Sequence, residues 1–310
     1  MRLTSRATDW ILVEPRRYLV RVASELVEAW STFRLPFQPS ADGLALRSEL
    51  RDGIRGLAAG PDQILECHYR SAKIDLVDTE NVLIYNVGES AFSKVAGHGI
   101  RFERVFEEPP PCPETLSGPG ALHYVAYRTI ALKADFTHWQ RGKPIAIWES
   151  ALWPTGAGTS PTPFWLAIRQ ASPHVLHASR EPMTYVGLQV NVAGGTDSIR
   201  PARMIKPLFD AAISAFHVHS EPVAMAKAIE RLVARGRGTA ASLGQLLTDP
   251  QFDLLGPRNL VATYRAGVNT DGVKWNPEDE RCVAGELRWA PGDGPKRFSG
   301  ELFEVHPGHS

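Results

Sequence analysis

Cysteine is scarce in this sequence: Cys67, Cys112 and Cys282 are far apart and odd in number. Neither a CxxC pair nor a Cys/His cluster occurs, which argues against a structural zinc site and a disulfide framework. The pattern fits buried free thiols in a reducing compartment. Long apolar runs are missing as well, and nothing approaches the roughly 18–20 apolar residues of a membrane span. Residues 1–9 are polar and lack the apolar core of a secretion signal, so the expected location is cytoplasmic, without membrane contact. The sequence also has no excess charge: 34 basic residues balance 34 acidic ones. Whole-molecule attraction to nucleic acid is therefore not expected, although a net charge of zero hides how charge is distributed.

Several catalytic signatures are absent. There is no GxxxxGK[ST], no GxGxxG between a strand and a helix, no HExxH and no GxSxG. Gly156-Ala157-Gly158 resembles a phosphate loop loosely, but Pro161 and Pro163 are expected to keep a helix from following it. No cofactor and no tightly bound metal are expected.

What is present is an ordinary globular composition, 43% apolar and 22% charged over 310 residues, enough for one large domain or two intimate ones. Lysine is sparse, eight against 26 arginines. A GC-rich coding bias accounts for this, since Ala, Gly and Pro are also plentiful; arginine nonetheless favours bidentate contacts to phosphate and carboxylate.

Periodicity predicts a helix opening at Glu14-Pro15 with Leu19, Val22, Leu26 and Trp30 on one face. A second runs from Asp42 to about Ala59 with Leu46, Leu50, Ile54 and Leu57. Helices are also expected over 201–216, 220–234 and 243–247. Strands are expected over 64–69, 82–87, 100–106, 123–132, 145–148, 164–168, 185–192, 260–264, 282–289 and 301–305. The segment 107–120 reads as a surface loop, and its Pro-rich part, Pro109 to Pro119, as a docking segment for a protein partner. Clean βαβ alternation is missing, so the expected class is α+β, with a mixed or largely antiparallel sheet flanked by helices. The expected divisions are an N-terminal α/β half (1–120), connecting strands with a Trp/Gly/Pro-rich loop (121–180) and a C-terminal α/β half (181–310), or one continuous domain. An internal repeat supports two halves around a cleft. Residues 74–82 parallel 252–260, and Ile100-Arg101-Phe102-Glu103 parallels Gly285-Glu286-Leu287-Arg288.

Four constellations carry chemistry. The first packs Asp75, Asp78, Glu80, Asn81, Asn86 and Glu89 into one short segment. Asp78 or Asn86, at a strand end, is placed to orient a water. The second is Glu149 beside Trp148, Trp153 and Trp165, where desolvation would raise a carboxyl pKa and aromatic rings would stack on a base. The third is His217-Val218-His219, which lacks a third metal ligand nearby. The fourth is basic: Arg231, Arg235 and Arg237 in a Gly-rich break, with Arg200, Arg203 and Lys206 opening a helix where anions are favoured.

The leading expectation is a hydrolase acting on DNA or a nucleotide-like ligand. Its most concrete form is glycosidic-bond cleavage of the DNA glycosylase kind, with Asp78, Asn86 and Glu149 catalytic. Trp148, Trp153, Trp165, Arg235 and Arg237 would bind substrate. One alternative is a metal-dependent nuclease with Asp75, Asp78 and Glu80 as oxygen ligands. The other is a non-catalytic binding or assembly protein.

Overall fold

In the computed structural model the described residues are 16–308, except 74–76, 119, 157, 177–184, 198 and 264–271. Glu14, Pro15, Asp75 and Tyr264 lie outside them.

The first strands stand where a helix is expected. β1 (Tyr18–Val22) and β2 (Leu26–Ser31) form an antiparallel hairpin in which Leu19 faces Trp30 and Val22 faces Val27. Tyr, Leu and Val favour a pleated surface, and the i, i+3, i+4 spacing of this run is also met by two alternating strands joined by a tight turn. α1 (Ala41–Gly56) follows, with Ser40 accepting from the Gly43 N–H as N-cap and Leu46, Leu50 and Ile54 buried.

The chain continues through β3 (Gln63–Arg70), β4 (Gly99–Val105), β5 (His123–Ala131) and β6 (Trp139–Leu152). Next come α2 (Pro161–Gln170), β7 (His174–Val175), β8 (Val186–Gly195) and α3 (Pro201–Ser214). β9 (Val218–His219), α4 (Pro222–Ala234) and α5 (Ala240–Thr248) precede the short strands β10 (Pro257–Arg258), β11 (Val261–Thr263) and β12 (Val273–Trp275). β13 (Cys282–Ala290) and β14 (Gly292–Pro307) complete the fold.

α2 occupies the stretch expected as a strand over 164–168. Pro161 sits at the first helical position, where a missing N–H costs nothing, so the prolines open this helix instead of preventing it. The expected strand over 82–87 is also helical. Residues 81–85 form a wide turn closed by the Asn86 N–H on the Asn81 carbonyl (2.8 Å). Val82, Leu83 and Ile84 are buried on every side, and a run without a polar face carries no period to read.

Ten strands form one mixed sheet in the order β1-β2-β5-β3-β4-β13-β8-β14-β6-β7, flanked by helices: an α+β fold. The order repeats about its centre. β2-α1-β3, a crossover, then β4 and β5 is matched by β6-α2-β8, a longer crossover, then β13 and β14. β3 is parallel to β4 and β8 to β13, while β4 and β13 meet antiparallel at the middle, where Arg101 faces Glu286. One sheet face is apolar and carries Cys67, Phe102, Tyr127, Leu188 and Leu287 into the core shared with α1, α2 and α3. Gly285 permits a close approach, because a Cβ there would overlap the rings of Phe102 and Phe209. The opposite face is polar at its centre.

Candidate functional site

The two crossovers meet over the apolar side of the sheet. From the first come Asp78 and Glu80, on the turn that leads into residues 81–85. The carbonyl of Asp78 accepts from the N–H groups of Asn81 and Val82, and its carboxylate accepts from the Asn81 side-chain amide. The Tyr127 hydroxyl donates to the Leu83 carbonyl (2.8 Å), which fastens this turn to the sheet. From the second crossover come Lys206 and Asp210, one turn apart on α3 and thus on one face. Asp279 enters from the 3₁₀ turn Asp279–Arg281, just before β13.

These five side chains converge. Lys206 Nζ lies 2.7 Å from Asp279 Oδ2, 2.8 Å from Asp210 Oδ1, 3.0 Å from Glu80 Oε1 and 3.6 Å from Asp78 Oδ2. Four carboxylates thus surround one ammonium. Glu80 and Asp279 are buried, and oxygens of Asp78, Glu80 and Asp279 lie within 4.8 Å of one another. A point among three such atoms is no farther than about 2.8 Å from each, a little above the oxygen distances of calcium and well above those of magnesium.

The electrostatics show a deficit of positive charge. Burial, and then the Asp279 carboxylate, push Asp78 up to about 6. Asp210 is raised to about 7, by burial first and then by its acidic neighbours against the pull of Lys206. Glu80 and Asp279 are raised as well, chiefly by burial. For Lys206 burial works the other way, but the four carboxylates outweigh it and hold the ammonium charged well above its ordinary range. One cation does not neutralise four acids, two of them buried and two half-buried, so this cluster retains protons near neutral pH or takes up a further cation.

Asp78, Glu80, Lys206 and Asp210 of this cluster line a cavity of about 800 Å³ together with other residues of both crossovers. Asn86 and Glu89 line it too; the Asn86 amide donates to the Leu35 carbonyl (2.9 Å). At the rim Phe37 and Tyr85 stack with centroids 5.6 Å apart, and both rings are largely exposed. Arg34 and Arg203 also line this space.

A second cluster, Glu66, His68 and Glu103, lies on the polar sheet face. It is already compensated. Arg128 Nε is 2.7 Å from Glu66, Arg101 lies 3.8 Å away, and Glu103 accepts from the N–H groups of Thr137 and His138, each at 2.7 Å. Burial opposes the ionisation of Glu66, yet His68 and Arg128 hold it at about 2. The imidazole of His138 is pushed down to about 4 by burial and then by His68. The protein therefore holds buried acidic and histidine clusters capable of coordinating a metal ion. The Lys206 cluster is the one whose charge calls for it.

The other residues singled out in the sequence are dispersed. Trp148 and Trp165 are buried in the core, each 1% exposed, and Trp153 packs edge-on against Phe164 and Phe298. Glu149 is exposed on β6, beyond the cavity lining, and Arg235 and Arg237 follow the end of α4, also outside it. His217 and His219 are tied to the backbone: His217 Nδ1 contacts the Gly256 carbonyl, and His219 Nδ1 accepts from Leu260 and Val261. Asp78 and Asn86 do share the cavity. Asp210 and Asp279 went unread in the sequence. The pair Lys206/Asp210 left a trace, as the only charges from 204 to 216 in an otherwise apolar helix; Asp279 left none. Compared with known proteins, the chain matches no family model, no curated protein and no solved structure.

Proposed function

We propose that this protein is a divalent-metal-dependent hydrolase of phosphodiesters, a nuclease in the broad sense. The observation that carries the reading is the carboxylate set of Asp78, Glu80 and Asp279 around Lys206, in which Glu80 and Asp279 are buried and Asp78 and Glu80 line the cleft. Asp78, Glu80 and Asp279 would hold a divalent ion once the Lys206 ammonium moves from its place among them, and the ion would supply Lewis-acid polarisation of a phosphoryl oxygen and activation of water. Lys206 donates hydrogen bonds toward the charge that develops on the phosphoryl group. Asp210, with a pKa near 7, takes the proton released by water. Arg34 and Arg203 attract the phosphate from the walls. Phe37 and Tyr85 offer a ring face to a nucleobase.

The test uses purified protein with end-labelled DNA and RNA and with bis(p-nitrophenyl) phosphate, in magnesium, in manganese and in EDTA. Strand breaks that need the cation and vanish in Asp78→Asn support the proposal. EDTA-resistant breaks that appear only after alkali would overturn it in favour of base excision, in which Asp78 and Asn86 position the water in the same cavity. Turnover of nothing in that panel, with a stable protein captured through residues 107–118, would overturn it in favour of an assembly role.

A further inference from the structure

A second cavity, of about 520 Å³, adjoins the acidic cleft, and Glu89, Ala202 and Arg203 line both. Its walls include Arg200, His98, Ser93 and the half-buried indole of Trp289. Arg34 stands in the first cavity, Arg203 at the junction and Arg200 in the second. All three are exposed, and none makes an ion pair among the described residues. Most other arginines near the sheet are held by a carboxylate or a carbonyl, as Arg101, Arg128 and Arg169 are. Arg200 and Arg203 also stand at the first turn of α3, where the helix field favours anions. The one acid at the junction, Glu89, faces a surplus of guanidinium groups. Each cavity has the volume of a single small-ligand site, the two share a wall, and each carries an aromatic surface: Phe37 and Tyr85 in the first, Trp289 in the second.

We infer that the substrate is a single-stranded polynucleotide that runs through both cavities, with successive phosphates on Arg34, Arg203 and Arg200 and unstacked bases against the Phe37–Tyr85 pair and Trp289. This assignment rests on the hydrolase reading for its chemistry. A single strand is favoured over a duplex because paired bases do not present their faces to aromatic side chains, and because a duplex is too wide to follow a track of two concave pockets. A lone mononucleotide would leave the second cavity and Arg200 without a role.

The experiment measures fluorescence anisotropy with labelled dT2, dT4 and dT8 and a hairpin duplex, in calcium, on the full chain. Hydrolysis of bis(p-nitrophenyl) phosphate in manganese is followed in parallel. The expected result is an affinity at least ~10-fold higher for dT8 than for dT2, and at least ~10-fold higher for dT8 than for the duplex. Arg200→Glu and Trp289→Ala should each weaken dT8 by about 10-fold. Arg200 is exposed, so its variant keeps the test valid if Trp289→Ala folds poorly. Equal affinity for all lengths, or preferred binding of the duplex, overturns the inference. If the small diester is still hydrolysed in manganese, the hydrolase reading survives that failure. If the small diester is untouched while dT8 binds with the stated length dependence, the track stands and the hydrolase reading falls.

Discussion

Replacing Lys206 with methionine isolates what the acidic cluster contributes. Methionine keeps most of the aliphatic stem and removes the one ammonium that faces four carboxylates between 2.7 and 3.6 Å away. Each close pair is worth about 6 kcal/mol in gross Coulomb energy at an effective dielectric of 20, but desolvation cancels most of this. Breaking a buried ion set by removing one partner costs about 3–5 kcal/mol. For a chain of this size that lowers the melting temperature by about 5–8 °C at pH 8. The penalty has a sign in pH. With the ammonium gone, the native carboxylates bind protons more tightly than the unfolded chain does. Stability then falls as pH rises above the ordinary carboxylate range, by about 1.4 kcal/mol per pH unit for each extra proton held. The variant should therefore recover much of its loss at pH 5. Calcium should also restore it, by about 2.7 kcal/mol at a hundredfold excess over its dissociation constant. Urea unfolding followed by tryptophan fluorescence at pH 5, 6.5 and 8, with and without calcium, reads both effects. A loss of equal size at every pH, or a variant indifferent to calcium, would refute the reasoning.

The ligand role of Asp279 predicts that Asp279→Asn lowers manganese affinity and cation-dependent hydrolysis by about 100-fold or more while the circular dichroism spectrum is retained; unchanged calorimetric affinity would remove it from the ligand set. Because Asp78 titrates near 6 and Asp210 near 7, cation affinity should climb from pH 5 to about 7.5. Proton release should accompany binding, seen as a dependence of the calorimetric heat on buffer; a flat profile contradicts the raised carboxyls. In the metal-free protein the same raised groups make stability fall as pH rises from about 4 to about 7, since the native state keeps protons that the unfolded chain releases. On the polar sheet face, Arg101→Met should cost about 3–5 kcal/mol, because Arg101 is buried against Glu286. Arg128→Met removes a side chain that is 43% exposed and leaves Glu66 with His68 and Arg101, so it should cost less than Arg101→Met, and equal losses in the two would undo that distinction. Gly300→Ala should destabilise by about 1–3 kcal/mol in urea titration, since a Cβ there overlaps the Trp148 ring; a neutral effect would mean that the ring moves freely.

Local periodicity was sufficient wherever an element has one wet and one dry face. α1, α3 and α4 and the strands β5 and β8 are legible in the sequence for that reason; β3, β4 and β13, buried along most or all of their length, are legible instead as short β-rich runs between turns, and together with the missing βαβ alternation these elements imply the α+β class. Periodicity failed where burial is complete or where two patterns coincide. The centre of the 81–85 turn and most of α2 are buried, and β1 and β2 have spacing that a helix also satisfies. The resemblance between 100–103 and 285–288 pointed to β4 and β13, which pair at the centre of the sheet; the matching strand order of the two halves appears only in three dimensions.

The site divides in the same way. A dense acidic segment marked Asp78 and Glu80, because acids so close together in a short stretch repel one another and stand out against composition. Asp210 and Asp279 are unremarkable in sequence. They matter because α3 lies across the first crossover and brings Lys206 between them, so that carboxylates from three remote segments share one cation. Charge–charge energy falls with distance through space and takes no account of separation along the chain, which is why the tertiary structure alone decided where this protein concentrates its charge.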